Sequence, residues 1–417
     1  MKALTIRDLK GKRVAALVSG GLDSTSIIRW MSERGVDITA ITADLSQPDE
    51  KDMSDIPRRM KAAGAGEALF VDGSALLAEY MLSGVIQGQA AHEGGYLNTT
   101  GIARMATVKV AMPEIERRGI DVVVHGSTGR GNDQVRFELA VIMLNPNMRV
   151  YAPWRDPEFV DELGGRKQMI KYCLERQLSI TATEEKPYST DANFCGLTHE
   201  ASRLESIFER PDYVEFLMGV SPQFAPDAEE VVSVGFEQGR PVQINGRACT
   251  VLEAFLTLND IGGRNGIGIG LDVVENRRVG IKSRGVYEAP GATIMYQAYG
   301  KLLELVMDRS RRKFFDTVSR QLADAIYEGE WFAPIASDLL AASGSVAQHV
   351  TGTVAFGLYK GNVRFLTAND VVHSLYSADT ASMEKIGNFD HIDSQGYMGI
   401  ANVRSRALAS ARQVRNA

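Results

Sequence analysis

Val18-Ser19-Gly20-Gly21-Leu22-Asp23-Ser24 follows the short apolar run Arg13-Val14-Ala15-Ala16-Leu17-Val18, and the stretch from Asp23 to Met31 reads as a helix. A run that short and that apolar predicts a strand buried on both faces. Adjacent glycines let the turn bring backbone N–H groups against an anion, and the start of the following helix adds unpaired donors and a positive dipole end. Ser19, Ser24, Thr25 and Ser26 are read as hydroxyls on the same side. Neither Gly-x-x-x-x-Gly-Lys-Ser/Thr nor Gly-x-Gly-x-x-Gly occurs at this turn. The stretch predicts a pyrophosphate cradle, set against the plainer reading of an ordinary strand–turn–helix connection.

Outward from this loop, the first ~175 residues alternate short apolar runs with helical stretches, a texture that predicts a parallel sheet covered on both faces. The expected strands are Arg13 to Val18, Ile38 to Thr42, Ala68 to Asp72 and Asp121 to His125. Between the last two, Ile102, Met105, Val108, Met112 and Ile115 recur at helical spacing and read as core. Ligands of such sheets bind beyond the carboxyl ends of the strands. The Ser19 loop, Asp44 and the turn after His125 are therefore expected to share one crevice.

After about residue 178 the texture changes to α+β. Val232, Val234 and Phe236 lead through Gln238-Gly239 to Val242 and Ile244, and Val354, Phe356 and Leu358 lead through Lys360-Gly361-Asn362 to Val363 and Phe365, two expected hairpins. Met295, Tyr299, Leu302 and Val306, then Phe314, Val318, Leu322 and Ile326, mark two long helices. The end of the chain holds Arg404, Arg406, Arg412 and Arg415 with a modest stripe of Ala407, Leu408, Ala411 and Val414, a helix expected to pack on another subunit. The expected division is 1–178 for nucleotide binding, 179–385 for the second half and 386–417 for a C-terminal oligomerisation arm.

At 417 residues with 44% hydrophobic content, the chain is long enough for two cores. Its 46 basic and 52 acidic residues give −6, which argues against a nucleic-acid or membrane-surface binder. Cys173, Cys195 and Cys249 are too few and too scattered for a disulfide framework or a zinc site. The six histidines show no metal-ligand spacing, and no run approaches membrane-spanning length. A cytoplasmic protein is expected.

Ser-Gly-Gly-x-Asp-Ser/Thr is similar to the PP-loop of the ATP pyrophosphatases, which split ATP into AMP and pyrophosphate. The run His125-Gly126-Ser127-Thr128-Gly129-Arg130-Gly131-Asn132-Asp133-Gln134-Val135-Arg136-Phe137-Glu138 resembles the signature of the argininosuccinate synthase family. Ala152-Pro153-Trp154-Arg155, Tyr188-Ser189-Thr190-Asp191, Val274-Glu275-Asn276-Arg277 and Lys282-Ser283-Arg284-Gly285-Val286-Tyr287-Glu288 resemble further blocks of that family in the same order. The resemblance implies an α/β fold: a parallel-sheet PP-loop domain of the adenine nucleotide alpha hydrolase type with an α+β synthetase domain and a C-terminal oligomerisation helix. It also implies ligation of citrulline to aspartate through a citrullyl adenylate, with ATP as substrate, Mg²⁺ on the triphosphate, and a homotetramer.

By the same resemblance Ser19, Gly20, Gly21, Asp23, Ser24 and Thr25 contact ATP, with Ala43, Arg104, Gly126 and Phe137 near its base, ribose or α-phosphate. Aspartate falls to Thr100, Thr128, Asn132 and Asp133. Citrulline falls to Tyr96, Asn132, Arg136, Ser189, Thr198, Glu275 and Tyr287, with Arg136 suited to clamp an α-carboxylate. No dedicated general base is apparent, and phosphate oxygens of the substrate are expected to assist deprotonation of the aspartate amine. Ala43-Asp44-Leu45-Ser46-Gln47 and Ala91-His92-Glu93-Gly94-Gly95 depart from the family's wording, so a paralogue acting on a different ureido or amino-acid substrate is the alternative. Gly266, Gly268 and Gly270 read as a flexible loop ahead of Glu275, not as a dinucleotide fingerprint.

Overall fold

A computed structural model describes residues 3–50, 52–180, 188–383 and 390–415. The first part is built on β1 (Arg13–Leu17), β2 (Asp37–Asp44), β3 (Glu67–Asp72), β4 (Val122–His125) and β5 (Arg149–Tyr151), one parallel sheet in the order β3-β2-β1-β4-β5. The first four are the strands expected from the apolar runs. The three-residue β5 is too short to show a pattern in sequence. Because β1 pairs with β2 on one side and β4 on the other, the sheet grows in both directions from β1. The crevice beyond the ends of β1 and β4 is then the switch point at which open α/β sheets bind ligands.

Strand β1 is buried on both faces, as its composition requires. Val14 and Ala16 join a core with α1 (Leu22–Ser32) and α2 (Ile56–Ala63), whereas Ala15 and Leu17 face the core under α3 (Ser74–Tyr80), α4 (Thr99–Arg117) and α5 (Asp133–Leu144). The Ile102, Met105, Val108, Met112 and Ile115 stripe of α4 is buried in that second core. Two further helices, α6 (Pro157–Leu163) and α7 (Arg166–Glu175), close the first layer.

Downstream come β6 (Ser189–Asn193), β7 (Gly196–Glu200), β8 (Glu230–Glu237), β9 (Arg240–Ile244), β10 (Arg247–Ala248), β11 (Ile269–Asn276), β12 (Lys282–Glu288), β13 (Gly352–Tyr359) and β14 (Asn362–Asn369). They form two antiparallel sheets. The order β10-β9-β8-β13-β14 contains both expected hairpins, whose apolar face, with Val232, Val234 and Phe356, continues the core of α3 to α5. The expected long helices are α9 (Pro290–Val306) and α10 (Arg309–Glu328), flanked by α8 (Val251–Arg264) and α11 (Pro334–Ala347).

The other sheet, β11-β12-β7-β6, seats on the N-terminal end of α4, where the Asn193 side chain donates to Thr99 O at 3.2 Å. Its strands β6, β7, β11 and β12 are absent from the sequence reading. The glycines at 266–270 lead into β11 and are packed against Pro222, Ala289 and Phe216, so the expected flexible loop is an ordered strand start. The C-terminal helix His391–Arg415 is about 37 Å long, and its apolar side chains lie open, Ile400 at 77% and Val403 at 70% exposed. The expected boundary at 385/386 lies outside the described residues. None of the described helices is long and apolar enough to cross a membrane.

Candidate active site

The loop Ser19–Gly21 joins β1 to α1 at the switch point. Gly20 has φ +81°, and a Cβ there would meet Ile56 of α2 at 2.9 Å, so both backbone shape and close packing require glycine. From below, Arg59 of α2 donates to Gly20 O at 3.1 Å and pairs with Glu50 at 2.5 Å. Ser19 N donates to Ser24 Oγ at 3.0 Å, and the two hydroxyls lie 3.3 Å apart. Thr25 and Ser26 differ from expectation. Their hydroxyls donate back to Gly21 O and Leu22 O at 2.9 and 2.8 Å, the helical i−4 pattern, so their protons are turned away from an anion in the loop.

Asp23 is held by Trp154, whose indole N–H donates to Oδ1 at 3.1 Å. Burial raises the Asp23 pKa, and the Trp154 hydrogen bond works against that rise. Gly126, just past β4, sits against Ile27 and Asp23 of α1. At the end of β2, Gln47 braces the backbone by donating to Ala43 O and accepting from Leu45 N. Phe137 stacks on His125 with centroids 5.5 Å apart, and burial lowers the His125 pKa to about 3, which leaves a neutral ring at the strand end.

The centre of the cleft is an ion network. Arg104 donates to Asp133 Oδ2 through Nε (2.9 Å) and Nη2 (2.8 Å), and to Asp191 Oδ2 at 2.5 Å. Arg136 donates to Asp133 Oδ1 at 2.8 Å. Burial alone would raise the Asp133 pKa, but the two guanidiniums outweigh it and hold it at about 2. Asp133 is therefore a fixed anion and a poor proton acceptor. Arg136 is 5% exposed; its Nε donates to Tyr327 O at 2.8 Å, while Nη2 is buried with no partner among the described residues. An unsatisfied cationic N–H in a cleft is suited to a ligand carboxylate.

A second wall of the site is one face of the sheet β11-β12-β7-β6. Residues directly opposite in a ladder share a face. Leu271, Tyr287, Thr198 and Asp191 form one row, and Val273, Gly285, Glu200 and Ser189 the next, followed by Glu275 opposite Ser283. Register thus gathers Ser189, Thr198, Glu275 and Tyr287, one residue from each of the four strands. A Cβ on Gly285 would meet the Tyr287 ring at 2.6 Å. Its absence lets the phenol lie across the strand and donate to Glu275 Oε1 at 2.6 Å. Thr100 and Thr198 hydroxyls are 3.0 Å apart, Tyr96 OH accepts from Thr100 N at 3.1 Å, and the Tyr96 and Tyr287 rings are 4.5 Å apart.

Most of the expected site residues converge here, with two qualifications of role. Arg104, expected beside the nucleotide, has its guanidinium committed to Asp133 and Asp191. Asn132 is also engaged by protein: Nδ2 donates to Tyr327 OH at 2.9 Å, and Oδ1 accepts from Arg278 N and Val279 N at 3.1 and 3.0 Å. Thr128 lies exposed in the turn after β4, where its carbonyl accepts from Gly131 N.

Sequence reasoning missed Asp191, Glu200 and Tyr327. The first two could be found from alternation with Ser189 and Thr198 once β6 and β7 are read as strands. Glu200 opens on the cleft without a hydrogen-bond partner among the described residues. Shielding by the cleft walls, then the carboxylates of Asp133, Asp191 and Glu275, raise its pKa to about 7.

Two family models match successive parts of the chain along this architecture. Residues 13–179 match the arginosuccinate synthase N-terminal HUP domain, and residues 188–408 match the arginosuccinate synthase C-terminal domain. The argininosuccinate synthase of Thermotoga maritima is 40% identical over 399 residues, which cover 94% of this chain and 96% of that one. That of Aquifex aeolicus is 39% identical over 407 residues, covering 97% and 100%. That of Rhodopirellula baltica is 40% identical over 389 residues, covering 93% and 96%. With both halves matched and the relatives aligned over nearly their whole length, this chain belongs to the argininosuccinate synthase family.

Proposed function

We propose that the chain ligates citrulline and aspartate to argininosuccinate, consuming ATP and releasing AMP and pyrophosphate by way of citrullyl-AMP. The observation that carries this reading is a run of contacts from the loop at the switch point to the polar sheet face: Gly126 sits against Asp23 of the loop's helix, Arg104 joins Asp133 at the start of α5 to Asp191 of the sheet, and Arg136 of α5 presents an unpartnered N–H beside them. In the first step the ureido oxygen of citrulline attacks the α-phosphorus and pyrophosphate leaves. In the second the aspartate amine displaces AMP. Positioning and charge neutralisation supply much of such a rate enhancement.

The N–H groups of Gly20 and Gly21 and the hydroxyls of Ser19 and Ser24 hold the departing pyrophosphate, with Asp23, Ala43, Gly126 and Phe137 around the nucleotide. Arg136 Nη2 takes the citrulline α-carboxylate. Thr198, Ser189, Glu275 and Glu200 receive its remaining polar groups, and Tyr287, kept neutral by burial and by its hydrogen bond to Glu275, lies beside the ureido end. Thr100, Thr128 and Asp133 serve aspartate. Since Asp133 is committed to two arginines, the proton of the aspartate amine passes to a phosphate oxygen.

No group of three or more His, Cys, Asp or Glu among the described residues could hold a metal. Asp23, the carboxylate at the loop, would be the residue to hold Mg²⁺ arriving with ATP, and the ion would neutralise charge on the leaving pyrophosphate.

Isotope exchange between pyrophosphate and ATP tests the assignment. Exchange with citrulline, followed by AMP release only on adding aspartate, is expected; exchange solely with another ureido acid overturns it in favour of the paralogue.

The division into a nucleotide half (1–178), a synthetase half (179–385) and an arm (386–417) is part of the same reading. The open apolar side chains of the C-terminal helix support a homotetramer, and the free cysteines support a cytoplasmic location. Deletion from Gly396 onward is expected to dissociate the assembly in sedimentation, and a truncated chain that remains tetrameric overturns the arm's role.

A further inference from the structure

Tyr327, in the last turn of α10, is 2% exposed and joins the cleft by three contacts. Its hydroxyl accepts from Asn132, its carbonyl accepts from Arg136 Nε, and its ring lies 4.9 Å from the Arg136 guanidinium. The imidazole of His92 covers the ring at a centroid distance of 3.8 Å and an interplanar angle of 11°. That imidazole is buried, with carboxylate oxygens of Asp324 and Glu93 at 3.3 and 3.8 Å.

The turn that carries His92 is closed by backbone bonds between His92 and Tyr96, of 2.8 and 2.9 Å. It is fastened to β11 by Glu93, which accepts from Asn276 N at 2.7 Å and Nδ2 at 2.5 Å, one residue beyond Glu275. One short segment thus backs Tyr327, supplies Tyr96 to the pocket and grips the strand bearing Glu275. Among the described residues, the hydrogen bonds of the Ser19 loop run to Ser24 and Arg59, not to this segment.

We propose that His92 is a positioning residue of the amino-acid pocket: its flat ring holds Tyr327, and Tyr327 holds Arg136 so that Nη2 stays turned to the substrate carboxylate. The stack matters through shape, since a tilted Tyr327 ring would shift both the platform beneath the Arg136 guanidinium and the hydroxyl that accepts from Asn132. The inference rests on the assignment of Arg136 to an acceptor carboxylate.

Full-length His92→Leu and His92→Phe separate the flat face from mere apolar bulk. Pyrophosphate exchange is measured with citrulline, or with whichever ureido acid supports it in the unaltered chain. His92→Leu is expected to raise the acceptor KM about three- to tenfold, the range of one stacked aromatic pair, with the ATP KM within about twofold. His92→Phe is expected to restore the acceptor KM to within about twofold of the unaltered chain. An equal rise in the ATP KM, no rise at all, or a Phe variant as impaired as the Leu variant overturns the proposal. An unaltered chain that uses another ureido acid overturns the citrulline assignment alone; one that uses none overturns both.

Discussion

The nucleotide loop and the amino-acid wall solve recognition in different ways. At Ser19–Gly21, the proposed nucleotide site, what is offered to a ligand is main chain, whose shape is set by two glycines, a strand end and a helix start. On the β11-β12-β7-β6 face it is met by side chains whose neighbours are set by strand register. A loop of backbone donors recognises the charge that every nucleoside triphosphate shares. On the proposed reading, a sheet face bearing Thr198, Glu275, Tyr287 and Glu200, with Arg136 of α5 beside it, recognises one arrangement of carboxylate, ammonium and ureido groups. Generality resides in the first surface and specificity in the second.

The hardest test of this division is Arg136→Ala. It removes a buried cation from Asp133, a change of about 3–5 kcal/mol for a buried pair, and should lower kcat/KM for citrulline by about 10²–10³-fold. The ATP KM should move by no more than a few-fold. An equal loss in both constants would mean that the arginine network is shared by the two surfaces. Gly20→Ala should do the reverse: a left-handed φ and the Ile56 contact cost about 1–3 kcal/mol, so exchange should slow about ten- to a hundredfold with every acceptor. Its amino-acid KM values should hold.

Two smaller effects sharpen the contrast. Tyr287→Phe removes the hydrogen bond to buried Glu275, about 1–3 kcal/mol, and should raise the citrulline KM at least severalfold while exchange kinetics in ATP stay unchanged. The smallest effect is in pH dependence. Glu200 titrates near 7, above its ordinary range, so its carboxylate appears as pH rises through about 7 and the citrulline KM should fall over that interval. Glu200→Gln should abolish this limb and leave the pH dependence of the ATP KM in place. A limb that survives in the variant would assign the titration to another group.

The parts legible in advance follow from local chemistry. β1, β2, β3 and β4 are apolar runs, the Met105 stripe is a helical period, and the Gln238-Gly239 and Lys360-Gly361 turns announce their hairpins. The β11-β12-β7-β6 sheet was not legible as a sheet. A strand that lends one face to a polar site shows Ser189, Asp191 and Asn193 where alternation would show apolar residues, so its signal is lost. Its residues were found instead as sequence blocks resembling a family, which located them without saying that register unites them. The hydroxyls of Thr25 and Ser26 were misread because a helix lets Ser and Thr donate to the carbonyl four residues back, a competition that a list of polar residues does not contain.

By itself the sequence determined the strand–loop–helix at the switch point, the parallel sheet behind it and the family, because each of these is written in neighbouring residues. Only the tertiary structure decided that Arg104 would join Asp133 to Asp191, which lies 87 residues from that arginine along the chain, that Glu200 would stand among three other carboxylates, and that His92 would lie flat on Tyr327. These contacts join segments distant in sequence, and their energies depend on distance and burial, which exist only once the chain has folded.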